Sequence, residues 1–184
     1  MTEVDTILLF ADLQEDIVPG SKTNPEADLR KAAKALADVA RALRMPTVVN
    51  MVALGPDAPR AIAELGEVRN PVVRHGAKPF DYQPLRSAIL DLNRPNLAIV
   101  GVLSEIVVLH AALGAIEAGL TVQIVVDACG GMSPRTEHAA FNRIERAGGV
   151  LTSVASFATE IGGSDFKSDE GKATLQALGP LLGR

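Results

Sequence analysis

Thr6-Ile7-Leu8-Leu9-Phe10-Ala11-Asp12-Leu13-Gln14 carries an unbroken apolar run that stops at an acid. A run this short, with no alternation of polar and apolar residues, reads as a strand covered on both faces. Working outward, the segments 46–52, 71–74, 96–101, 121–126 and 150–154 have the same character and predict five more strands. Helix-period segments separate them. After the first strand, Asn24-Pro25 reads as an N-cap followed by proline at the first helical position, and Leu29, Ala32, Ala33, Leu36, Ala40 and Leu43 recur at helical spacing. Segment 104–119 predicts a helix capped by Ser104 and ended by Gly119. Its opening, Ile106-Val107-Val108-Leu109, is apolar all round, which buries it against the sheet or a second subunit. A further helix starts at Ser133-Pro134, buries Ala140, Phe141, Ile144 and Ala147, and stops at Gly148-Gly149. Segment 163–184 is a more polar tail with one helix containing Leu175 and Leu178.

This alternation predicts an α/β fold: a doubly wound, three-layer α/β/α arrangement around a six-stranded, mainly parallel sheet, in one domain spanning 1–184. The length suits one domain, and a 47% hydrophobic content supplies its core. The charges, 18 basic against 22 acidic residues, form no block. With five Phe, one Tyr and no Trp there are few surfaces on which bases could stack, so nucleic acid is not an expected partner. Acids stand in Met1-Thr2-Glu3-Val4-Asp5 where a secretory signal carries bases, and no apolar run reaches the length of a membrane span. The expectation is a cytoplasmic protein that does not enter the membrane and that meets a small-molecule substrate or ligand.

Cys129 is the single cysteine, so no internal disulfide can form. Neither it nor His75, His110 or His138 has partners at metal-ligand spacing, and phosphate-cradling glycine motifs are missing. No metal and no cofactor are therefore expected. In a doubly wound sheet, ligands bind beyond the carboxyl ends of the strands where the winding reverses. Asp12 ends the first strand, and Val102-Leu103-Ser104-Glu105 follows the fourth. These segments are the two best contributors to one shared site.

Several blocks, in order and spacing, resemble the isochorismatase-like hydrolases. Ala11-Asp12-Leu13-Gln14 is similar to that family's aspartate-x-glutamine opening, and Phe80-Asp81-Tyr82-Gln83-Pro84-Leu85 to its middle block, where a helix follows a phenylalanine. Gly101-Val102-Leu103-Ser104-Glu105-Ile106-Val107-Val108 resembles the nucleophile block, and Ala115-Ile116-Glu117-Ala118-Gly119 and Val125-Val126-Asp127-Ala128-Cys129 continue in register. The resemblance implies an aspartate base at Asp12 and a charge-stabilising lysine whose position falls on Arg74, with Lys78 nearby. It implies substrate contacts from Gln14, Leu103, Ser104 and Val107. The family's cysteine nucleophile would stand at the start of a helix, where N–H groups and the helix dipole favour a thiolate; the matching position here is Val107. An alkyl group cannot attack, so thiol catalysis there is excluded.

Two readings follow. One is a hydrolase of a vinyl ether or an amide (C–N) bond that needs no cysteine, with Asp12 as acid or base. It resembles isochorismatases with glycine at this position, in which an aspartic acid protonates a vinyl ether. The other is a catalytically inactive relative that binds a small molecule or serves in an oligomer. The resemblance further implies a homo-oligomer, and a non-proline cis peptide at Val102–Leu103.

Overall fold

The computed structural model describes residues 4–162 and 165–183. Residues 163 and 164, at the head of the polar tail, lie outside this description. Six strands form one sheet: β1 (Thr6–Ala11), β2 (Thr47–Val52), β3 (Val72–Arg74), β4 (Asn96–Val102), β5 (Thr121–Gly130) and β6 (Val150–Thr152). Their spatial order is β3-β2-β1-β4-β5-β6, and every neighbouring pair is parallel rather than mainly so. The order reverses between β1 and β4. The sheet thus forks at the carboxyl ends of the two strands whose sequences pointed to a shared site.

The helices are α1 (Glu26–Ala42), α2 (Gln83–Leu90), α3 (Leu109–Glu117), α4 (Pro134–Arg146), α5 (Val154–Gly162) and α6 (Asp169–Leu178). Side chains alternate along β1, which divides the core in two. Leu8 and Phe10 pack with Leu29 and Leu36 of α1, Phe157 of α5 and Leu178 of α6. Ile7, Leu9 and Ala11 pack on the other face with Leu85 of α2, Ala112 of α3 and Ile144 of α4. All six β1 residues are buried, which is why the strand is apolar after Thr6.

Several local expectations change. Helix α1 begins at Glu26, with Pro25 rather than Asn24 at its cap. The Asn24 side chain instead donates to the Cys129 carbonyl at 2.6 Å, tying the loop after β1 to β5. Strand β5 runs on to Gly130, so Cys129 lies inside a strand opposite Gly101 instead of beyond a strand end. Strand β6 stops at Thr152, because Val154 opens α5, where its N–H is held by the Asp127 carboxylate at 2.8 Å. Ser133 does cap α4, accepting from the Thr136 N–H, but Ala147 lies beyond the helix and is exposed.

Two backbone features shape the fork. At Gly101 a Cβ would fall onto the Ala11 carbonyl oxygen, so only glycine lets β4 lie this close to β1. The following Val102–Leu103 peptide is cis. Ser104–Val108 then forms a π-helical turn leading into α3, with Leu103 at its cap. Ser104 is therefore not the cap; its buried hydroxyl donates to Glu137 of α4 at 2.7 Å.

Candidate ligand site at the fork of the sheet

Asp12 leaves β1 with a left-handed backbone, φ 53°, a conformation aspartate tolerates better than most residues. Its N–H donates to the Asn50 carbonyl of β2 at 2.9 Å. Its side chain meets Arg74, the last residue of β3. Nη1 donates to Oδ1 and Nη2 to Oδ2, each at 2.6 Å, so both carboxylate oxygens are held by one guanidinium. Arg74 Nη1 also donates to Asn50 Oδ1 at 2.8 Å, and Asn50 Nδ2 donates to the Val72 carbonyl at 3.0 Å. The pair is deeply covered: Asp12 is 4% exposed and Arg74 1%. Arg74 Nε is shut off from solvent and has no hydrogen-bond partner. Burial pushes the Asp12 carboxyl above its ordinary range, while the hydrogen bonds and charge of Arg74 pull it back down.

Beside this pair lies a cavity of about 310 Å³. Of the residues singled out from sequence, Asp12, Arg74, Leu103 and Val107 line it. Ile17, Val52, Leu54 and Ile106 form most of its remaining wall, with His75 at the edge. The fork thus brings Asp12 and Val107 to one space. In the π-helical turn, the N–H groups of Ile106, Val107 and Val108 all point at the Leu103 carbonyl, at 3.1, 3.0 and 3.4 Å. Glu105 fastens the turn to α4, its Oε1 accepting from the Met132 N–H at 2.8 Å and from the Thr136 hydroxyl at 2.6 Å.

Three other expected residues lie outside the cavity wall. Gln14 is fully buried and pairs with the Val52 backbone in both directions: its Oε1 accepts from the Val52 N–H at 2.7 Å, and its Nε2 donates to the Val52 carbonyl at 3.1 Å. It acts as a strut between β1 and β2. Ser104 faces α4, as described. Lys78 is exposed and sits near His110. Cys129 is wholly buried, and burial pushes its thiol up.

Asn50 was missed as a site residue, although a polar side chain inside the apolar run Val48-Val49-Asn50-Met51 is a signal of its own. A buried amide needs partners, and here it orients Arg74.

His110, on α3, is pushed below the ordinary histidine range by burial first, then by the charges of Lys78 and Arg143; Asp81 opposes them. The folded state therefore disfavours the imidazolium. Stability is expected to fall as pH drops below about 6.5, where the unfolded chain takes up a proton that the folded chain resists. Urea midpoints measured at about pH 8 and about pH 5.5 should differ less in His110→Gln than in the parent. An unchanged difference would assign the acid sensitivity to other groups.

Comparison with known proteins places this geometry in a lineage. The isochorismatase domain model matches residues 6–156. The probable hydrolase YcaC of Escherichia coli K12 is 30% identical over 178 residues, covering 93% of this chain and 84% of that protein. The chain belongs to the isochorismatase family. Among solved structures, YcaC from Pseudomonas aeruginosa, with hexane-2,5-diol and covalent acrylamide, superposes with a TM-score of 0.88 at 26% identity, covering 100% of this chain and 93% of that one. The Escherichia coli YcaC structure, an octameric hydrolase of unknown specificity, gives 0.85 at 26% identity, covering 96% and 89%. No helix among the described residues is long and apolar enough to cross a membrane.

Proposed function

We propose that this chain is a ligand-binding member of its hydrolase family, holding a small molecule at the fork of the sheet without covalent turnover. The observation that carries this is the closed Asp12–Arg74 pair: both oxygens of the one acid in the cavity wall are held by a guanidinium. A carboxylate so held is a poor proton acceptor, because the guanidinium engages a lone pair on each oxygen and fixes the group in place. Family resemblance puts the nucleophile position at Val107, which brings no attacking atom. The N–H groups of Ile106, Val107 and Val108 point at the Leu103 carbonyl, so these three are not arranged for an oxyanion.

A second reading, hydrolysis without a cysteine, draws on the upward push that burial gives Asp12, since a base near neutral pH needs such a shift. Purified protein offered a panel of amides, ureides and vinyl ethers separates the two. The first reading expects binding without product. Turnover that disappears in Asp12→Asn would replace it with the second. The octameric relative supports a homo-oligomer here too, with the apolar α3 region as a contributing surface.

A further inference from the structure

We infer that the ligand of this cavity is uncharged, and that the site discriminates against both carboxylates and ammonium ions of the same shape. The inference rests on the reading of the cavity as a ligand site, and concerns what that site accepts.

The cavity wall holds three ionisable residues, Asp12, Arg74 and His75. Two of them cancel. Arg74 turns both terminal nitrogens to Asp12 and one of them also to Asn50, while its Nε lies beyond the reach of solvent. With 1% of the residue exposed, Arg74 has no accessible edge on which an incoming carboxylate could form the two-point contact that arginine normally offers. Asp12 likewise has both oxygens occupied, so an ammonium group would compete with a guanidinium already in place.

The π-helical turn offers no free N–H from Ile106, Val107 or Val108. These three groups converge on the Leu103 carbonyl, and most of the wall around the pair is carbon, from Ile17, Val52, Val102, Leu103, Ile106 and Val107 among others. A charge moved from water into such surroundings loses its hydration and finds no counter-charge beside the closed pair to replace it. An apolar body with one neutral polar group loses far less. At about 310 Å³ the cavity stands at the small end of the range of ligand pockets, which limits the ligand to a short chain or a single ring.

Hexanamide, hexanoate and hexylammonium share one chain and differ in charge, which makes them direct probes. Binding to the full-length protein would be followed by titration of the Val107 and Ile106 methyl resonances, in the parent and in His75→Gln, which removes the ionisable group at the cavity's edge. Hexanamide is expected to shift these methyls with an affinity about tenfold or more above that of either ion, in both proteins. Hexanoate or hexylammonium binding as tightly as hexanamide, in either protein, would overturn the inference while leaving the ligand site in place. If no probe moves the methyls up to about 10 mM, the site reading itself falls, and the inference with it. Release of ammonia from hexanamide would instead refute the absence of turnover and leave the preference for a neutral ligand standing.

Discussion

Arg74→Met is expected to destabilise the protein by about 3–5 kcal/mol, the usual cost of stripping one partner from a buried ion pair. The Asp12 carboxylate would stay 4% exposed with no counter-charge, and Asn50 Oδ1 would lose its donor. The loss should shrink in Arg74→Met combined with Asp12→Asn, where no charge is left stranded. Arg74→Lys should fall between, since an ammonium reaches a carboxylate as a point rather than as a fork. Urea denaturation measures all three. A loss below about 1 kcal/mol for Arg74→Met would mean that the pair is screened like a surface contact, contrary to its burial.

Val107→Cys is expected to place a reactive thiol in the cavity. Acrylamide, small and neutral, should alkylate it at least about a hundredfold faster than it alkylates Cys129, whose thiol is fully buried and pushed up. Iodoacetate, an anion, should lag behind acrylamide at this site. Amide hydrolysis is not expected from the single change, because Asp12 would still be held by Arg74 on both oxygens. Adding Arg74→Lys loosens that grip to one contact and is expected to bring measurable turnover. Mass spectrometry of the labelled peptides and an ammonia assay give the two readouts. Hydrolysis by Val107→Cys alone would show that the arginine does not disable the acid, and would remove the observation on which the proposed function rests.

The layers of this fold were legible because the central strands β1 and β4 are covered on both faces and leave apolar runs that no surface segment would carry. Asp12 was legible for a related reason, as the polar residue where such a run stops. The errors cluster where long-range partners decide. Asn24 matched the local pattern of a helix cap, yet the Cys129 carbonyl, distant in sequence, took its side chain. Ser104 matched it as well, but Leu103 caps a π-helical turn and the hydroxyl goes to Glu137. Gln14 carried a family signature, and only the packed structure reveals that the Val52 backbone uses both ends of its amide. Whether Arg74 or Lys78 would face Asp12 was open in the sequence. The parallel pairing of β3 with β2, Arg74 opposite Val52, brings Arg74 inward and leaves Lys78 outside.

The contact between Gly101 and the Ala11 carbonyl bears on kinetics. With no side chain at Gly101 the two central strands touch through backbone alone, and neither can shift toward the other without a collision. We expect this contact to hold the strand ends just behind Asp12 and Val102, the floor under the cavity, stiff during ligand exchange. Recognition on such a floor resembles a lock more than a glove, with little rearrangement of the chain on binding. Substitutions at Val107, Ile106 or Val52 should then leave the association rate nearly constant and act through how long the ligand stays.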